Sequence, residues 1–237
     1  MRLDRALVER KLASSRSQAN DMIKRNIVEL NNKIVHKPNQ STSVNDKISV
    51  IQGDQYVSRA GRKLASVASD FDLDFKDKTV LDVGSSTGGF TDYSLQHGAR
   101  KIVAVDVGTQ QLHAKLRGDK RVELHEKTDI RKYVKPDEVD FDLILIDVSF
   151  ISILDILPAV YSFCSQNTLV VAMVKPQFET GKKHKGVVKN NTIRRNVLSK
   201  VEQEFTPKFI VMNKKDSELS GAKGNVERFY LLKKSKS

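Results

Sequence analysis

Apolar residues recur in one rhythm over the first fifty positions and in another after residue 79. In the first stretch Leu3, Ala6, Leu7 and Leu12 lie near helical spacing, with Arg2, Arg5, Arg10 and Lys11 on the other faces. Ser15-Arg-Ser-Gln18 has the form of a capping box, so a second helix is expected to start there. Ala19, Met22 and Ile23 supply its apolar face, and Asn26 suits a left-handed helix end. Short runs at 27–30 and 33–35, separated by Asn31-Asn32, read as a hairpin. A further turn and strand follow at 44–50. Two helices and a small curled sheet, with basic residues along both helices, form a shape suited to docking RNA.

After residue 79 strands alternate with helices. Apolar runs fall at 79–83, 101–105, 121–124, 141–146, 168–174, 208–212 and 228–232. This order predicts an α/β domain of Rossmann-like type, with a mostly parallel seven-stranded sheet and helices on both faces. Gly53-Asp54-Gln55 marks the boundary. Residues 1–54 are expected to form the small unit, 55–62 a linker, and 63–237 the larger domain. Asp70, Asp72 and Asp74 alternate with Phe71, Leu73 and Phe75, which reads as an edge segment with one solvated face.

Composition narrows the class. Hydrophobic residues make up 39% of 237, enough for one sizeable core, and no apolar run is long enough to span a bilayer. Met1-Arg-Leu-Asp-Arg5 lacks the basic-then-apolar order of a signal peptide. The single cysteine, Cys164, leaves no internal disulfide and reads as a small core residue; a reduced, cytoplasmic setting is expected. Five histidines without ligand spacing argue against a metal site. The net charge of +12 points to a polyanionic partner. Placement sharpens that reading, since residues 1–62 hold 12 Lys/Arg against 6 Asp/Glu and residues 180–201 hold 7 and no acid. Gly181-Lys-Lys-His-Lys-Gly186 is expected to clamp phosphate through Lys182, Lys183 and Lys185.

Candidate chemistry begins in Thr79-Val-Leu-Asp-Val-Gly-Ser-Ser-Thr-Gly-Gly-Phe-Thr91. An apolar run ends in Asp82 and passes into a glycine-rich turn; a second run ends in Asp106, 22 positions after Gly84. That spacing fits a nucleotide-type cofactor whose ribose hydroxyls meet the second acid. The turn reads G-x-x-x-G-G and carries no Gly-Lys-Ser/Thr, so no pyrophosphate cradle is expected. A cofactor with a ribose and no phosphates fits, and S-adenosyl-L-methionine is the obvious one, which makes the chain a candidate methyltransferase.

Methyl transfer to a ribose hydroxyl needs a base for a weak acid and a cation for the developing oxyanion. Two lysines held by two carboxylates at strand ends serve both needs. Asp147 ends the run 143–146, Lys175 ends 169–174 and precedes Pro176, Lys63 lies before the first strand of the domain, and Glu227 introduces the last run.

The N-terminal stretch resembles the small RNA-binding domain named after a small-subunit ribosomal protein, on Arg2-Leu-Asp-Arg-Ala-Leu-Val-Glu-Arg-Lys-Leu12, Ser14-Ser-Arg-Ser-Gln-Ala19 and Val28-x-Leu-Asn-Asn-Lys-Ile-Val35. With Tyr56-Val-Ser-Arg59, Lys63-Leu64, the 82–91 turn, Ala104-Val-Asp-Val-Gly-Thr109, Val174-Lys-Pro-Gln-Phe-Glu179 and Gly224-Asn-Val-Glu227, the whole chain resembles the haemolysin-A-like (TlyA) family. Its members are 2′-O-ribose methyltransferases of ribosomal RNA, acting on cytidine and related to FtsJ-type enzymes. The resemblance implies a Lys-Asp-Lys-Glu tetrad at Lys63, Asp147, Lys175 and Glu227. It also implies cofactor contacts from Asp82, Gly84, Ser85, Gly88, Gly89, Phe90, Asp106, Asp129 and Asp147. Of these, Asp106 would hold the ribose and Asp129 the adenine edge. Asp129 stands where the family often has asparagine, and Ser85 where alanine is common. Arg2, Arg5, Arg16, Lys24, Arg25 and Arg59, with the three loop lysines, are the expected RNA contacts. The alternatives are a membrane-active haemolysin, which the family's name suggests, and a non-catalytic ribosome assembly factor.

Overall fold

The computed structural model describes residues 1–24, 27–31, 33–50, 56–181, 186–188, 190–206, 208–221 and 224–236. The chain divides into two compact units, Met1–Gln55 and Tyr56–Ser237.

In the first unit α1 (Leu3–Glu9) and α2 (Arg16–Lys24) precede strands β1 (Val28–Leu30), β2 (Lys33–Ile34) and β3 (Ile48–Val50). The sheet order is β2-β1-β3, antiparallel throughout, with Glu29 opposite Ile34 and Val28 opposite Val50. Leu3, Ala6 and Leu7 of α1 close on Ala19 and Ile23 of α2 and on Val28, all fully buried. The capping motif forms with a shift of one residue. The Gln18 N–H donates to Ser15 Oγ at 3.2 Å, whereas Gln18 Oε1 accepts from Ser14 N at 2.6 Å and not from Ser15. Asn26 and Asn32, expected at the helix end and the hairpin turn, lie outside the described residues, as does the boundary 53–55.

The second unit opens with α3 (Arg59–Ala68). Then follow β4 (Thr79–Val83), α4 (Gly89–Gln96), β5 (Lys101–Val105), α5 (Ala114–Arg117), β6 (Val122–His125) and β7 (Leu143–Ile146). A 3₁₀ turn at Ile153–Asp155 leads to α6 (Leu157–Phe163), β8 (Leu169–Val174), α7 (Pro176–Glu179), α8 (Asn191–Phe205), β9 (Phe209–Asp216) and β10 (Arg228–Lys234). The sheet runs β6-β5-β4-β7-β8-β10-β9; the first five strands are parallel, and β10 is antiparallel to both β8 and β9. Period-two side-chain alternation divides the strands between two cores. Leu81, Val83, Ile144, Ile146, Val170 and Ala172 face α6 and α8, and Val80, Leu143, Leu145, Val171 and Met173 face α3 and α4. Strand order reverses between β4 and β7, the place where an open parallel sheet leaves a cleft at its carboxyl edge.

Three expectations are revised. Residues 56–62 belong to the larger unit: Tyr56 is buried against Tyr93, Val57 N–H donates to Asp92 Oδ2 at 2.8 Å, and Ser58 Oγ caps α3 through Ala60 N. An aromatic anchor and a helix cap leave no linker after residue 55. The aspartates at 70, 72 and 74 form no strand, because the chain leaves α3 in turns, with Leu73 N bonded to Ala68 O and Asp72 at φ 50°. Strand β9 runs on to Asp216 through Asn213-Lys-Lys215, which pairing with β10 holds extended despite the polar side chains.

Candidate active site

The turn after β4 is shaped by three glycines. Gly84 has φ 81°, and a Cβ there would sit 2.8 Å from the Asp147 carbonyl oxygen. Gly88 has φ 91°, and a Cβ would collide with Leu112 and Leu116. At Gly89 a Cβ would lie 2.7 Å from Gly61 N, and one at Gly61 would lie 2.8 Å from Gly89 O, so α3 and α4 cross backbone to backbone.

Beyond this turn lies a cleft of about 450 Å³ whose walls include Gly84, Asp106, Asp129, Asp147, Val148, Ser149, Phe150 and Ile151. That is the size expected of a small-molecule site. Asp106 Oδ2 accepts from Ser86 N at 2.8 Å and Oδ1 from Gly108 N at 2.6 Å, so two backbone donors fix its carboxylate at the cleft wall. Asp129 is gripped by Arg131, whose backbone and guanidinium N–H groups bond it at 2.6–3.1 Å and hold its carboxyl down at about 2. The sequence pattern missed Arg131. It lines the cleft beside Asp129 and takes up the carboxylate expected to meet an adenine edge.

Asp82, Ser85, Gly88, Gly89 and Phe90 are set back from the cleft walls. Gly89 serves the helix crossing, and Phe90 packs in the core against Phe229. Asp82 is 1% exposed and accepts from Thr91 Oγ1 at 2.6 Å; burial pushes its carboxyl up to about 7, with Asp147 and Asp106 adding to the rise. Its Oδ1 and the Ser85 hydroxyl are buried without hydrogen-bond partners. Two unsatisfied polar atoms at a glycine-built turn, with a ribose-type acid at the next strand end, fit a ligand that has a polar head and a ribose.

The four tetrad candidates fall into two ion pairs. Lys175 Nζ lies 2.6 Å from Asp147 Oδ1 and donates to Ser149 Oγ at 2.6 Å. Lys63 Nζ lies 3.0 Å from Glu227 Oε2, with both residues buried. Local sequence accounts for these positions. Asp147 follows β7 and anchors its amide on Val83 O at 3.0 Å, and Pro176 starts α7 immediately after Lys175. Gly221 lies against Glu227, leaving no room for a Cβ. Burial raises the Asp147 carboxyl; Lys175 and Lys63 pull it down and Glu227 pushes it up, so all four charges act in one field.

Sequence patterns also missed the serine and glutamate contacts behind this pair. Ser149 has no signature outside the fold, and Glu179 accepts from Ser152 Oγ at 2.5 Å and from Ile153 N at 2.9 Å. Phe150 between them is 92% exposed at φ 68°, with its ring 5.2 Å from that of Phe178. Arg59, also exposed, stands one helical turn before Lys63 on α3. In the first unit Arg2, Arg5, Arg16 and Lys24 are exposed, but Arg2 and Arg16 both grip the buried Asp4, at 3.0 and 2.8 Å. Arg25, Lys182, Lys183 and Lys185 lie outside the described residues. Among the described residues no cluster of metal-ligating side chains occurs, and buried Cys164 has its thiol pushed up to about 12 by burial.

Two family models match the chain: the FtsJ-like methyltransferase over residues 56–234 and the S4 domain over residues 1–48. "Hemolysin A" of Brachyspira hyodysenteriae is 38% identical over 234 residues, covering 96% of this chain and 97% of its own length. The "16S/23S rRNA (cytidine-2'-O)-methyltransferase TlyA" of Mycobacterium tuberculosis is 37% identical over 240 residues, covering 98% and 89%. A solved structure from Streptococcus thermophilus superposes with a TM-score of 0.74 at 36% identity, covering 100% of this chain and 89% of that one.

Proposed function

The chain belongs to the FtsJ-like methyltransferase family and carries an S4 domain, and from that premise we propose that it methylates the 2′-hydroxyl of a cytidine in ribosomal RNA. The observation that carries the reading is the pair of lysine–carboxylate contacts sharing one electrostatic field, with Asp147 of one pair at the cleft wall.

S-adenosylmethionine, the methyl donor that such a family implies, supplies an electrophilic methyl group when bound. Asp106 would take its ribose hydroxyls through lone pairs left over from the backbone contacts. Asp82 and Ser85, with unsatisfied oxygens buried behind the cleft wall, would back the turn that receives its polar head. Lys175 removes the proton from the 2′-oxygen. Asp147, 2.6 Å from its Nζ, orients the lysine for that step. Lys63, fixed by Glu227, offsets the negative charge that develops on the oxygen. Exposed Phe150, beside Phe178, offers a ring face to a base at the mouth of the cleft. Arginines on the S4 domain hold the RNA through phosphates.

The name of the Brachyspira relative raises lysis as a second activity. Among the described residues no helix is long and apolar enough to cross a membrane, and no feature of the cleft favours that reading.

The test is methyl transfer from labelled S-adenosylmethionine to ribosomal subunits from a strain lacking the protein. The modified position is mapped by its resistance to alkaline cleavage. Lys175→Ala should lower transfer at least about a hundredfold, the scale of a lost general base, with cofactor affinity within about threefold of wild type. Undiminished transfer in Lys175→Ala would remove the lysine from the mechanism.

A further inference from the structure

We propose that Glu179 is a positioning residue for methyl transfer, holding the far end of the loop that presents Asp147 and Ser149 to Lys175. The inference rests on the reaction proposed above. The loop runs from the end of β7 to the 3₁₀ turn at Ile153–Asp155, and it forms one wall of the cleft through Asp147, Val148, Ser149, Phe150 and Ile151. One end is tied by Asp147 N to Val83 O and by Lys175 Nζ to Asp147 and Ser149. The other end is tied across the sequence as well as locally. Glu179, 27 residues away, accepts from Ser152 Oγ and from Ile153 N. Ser152 already caps the 3₁₀ turn through Leu154 N, so closing that turn does not require Glu179.

What Glu179 adds is a link between the two loops that carry the reacting pair. It is the last residue of α7, the single turn that starts directly after Lys175. Lys175 and Glu179 thus bracket one short segment and reach back to the two ends of the same opposing loop. Phe150 sits between those ties with φ 68°, in the left-handed region that a bulky residue enters at a cost. Such a conformation persists where its surroundings over-determine it. Burial raises the Glu179 carboxyl and the two donors oppose that rise, as expected of an acid kept in place for its bonds. With the Glu179 tie cut, Phe150 is free to relax, and Ser149 and the cleft wall move with it. Misplacement on the scale of 1 Å costs up to about a hundredfold in rate.

The experiment compares wild type, Glu179→Ala, Glu179→Gln and Ser152→Ala. Single-turnover methyl transfer to ribosomal subunits, the KM for those subunits and the calorimetric affinity for S-adenosylmethionine are read together with thermal melting. Expected for Glu179→Ala are a transfer rate lowered at least about tenfold, a KM within about threefold, and cofactor affinity weakened several-fold. Glu179→Gln keeps an acceptor for Ile153 N and should return the rate to within about threefold of wild type. Wild-type rate and cofactor affinity in Glu179→Ala would overturn the proposal, as would a Glu179→Gln variant as slow as Glu179→Ala. If Glu179→Ala does not fold, Ser152→Ala decides, and wild-type values in it overturn the role. Wild-type protein that methylates no RNA would instead sink the reaction reading, while the cofactor-affinity comparison still judges Glu179.

Discussion

Replacing Asp82 by asparagine should stabilise the cofactor-free protein more at pH 8 than at pH 5. Asp82 is 1% exposed, is hydrogen-bonded by Thr91, and leaves Oδ1 without a partner. Burial holds its carboxyl at about 7, against 3.8 for an unhindered one. A folded-state value above the unfolded value means that the folded protein binds the extra proton between roughly pH 4 and 7. Stability from this group therefore falls as pH rises through that window, and the penalty is complete above it. At about 1.4 kcal/mol for each pH unit of the window, the full penalty is at most about 4 kcal/mol, and part of it is relieved by local relaxation. An asparagine keeps an acceptor for the Thr91 hydroxyl and carries no charge to desolvate. Equilibrium unfolding in urea at pH 5.0, 6.5 and 8.0 should give a mutant-minus-wild-type difference that grows by about 1–2.5 kcal/mol across the series. A flat difference, or a mutant less stable than wild type at pH 8, would refute the reasoning. The same variant should bind S-adenosylmethionine more weakly if the unsatisfied oxygen serves the cofactor.

Asp4→Asn should loosen the first unit by about 1–2 kcal/mol, since it weakens two charge-assisted contacts made by half-exposed arginines. The arginines hold the Asp4 carboxyl well below the usual range, so this loss should be constant from pH 5 to 8, unlike that of Asp82; unchanged amide exchange in α1 would contradict it. Removing residues 1–54 should lower affinity for ribosomal RNA and flatten its dependence on salt, read as the slope of log affinity against log salt concentration. An unchanged slope would place the phosphate contacts elsewhere.

Much of the larger unit was legible because buried parallel strands are written as continuous apolar runs, and 79–83, 101–105 and 169–174 are strands in the structure. The position of β10 between β8 and β9 was not, since nothing in Phe229-Tyr-Leu-Leu232 distinguishes a parallel from an antiparallel neighbour. Within the site, Asp106, Asp147 and Lys175 stood out because a charged residue ends an apolar run. Ser149 and Arg131 did not, because side-chain contacts seen only in the fold carry their significance, and Glu179 stood only as the last residue of a motif, its partners Ser152 and Ile153 lying far off in sequence. Arg2 and Arg16 were read from charge alone, which says nothing of a buried partner such as Asp4.

The bare-backbone crossing at Gly61 and Gly89 constrains how this protein is rebuilt as a chimera. Lys63 stands two residues beyond that crossing, on a helix that precedes the first strand of its sheet. A donor domain spliced at residue 62 or 63 would discard Tyr56, the Ser58 cap and Gly61 together, and α3 would reach the sheet without its anchor. The junction for exchanging RNA-docking modules therefore belongs upstream of Tyr56, where the graft leaves the lysine registered to its helix partner.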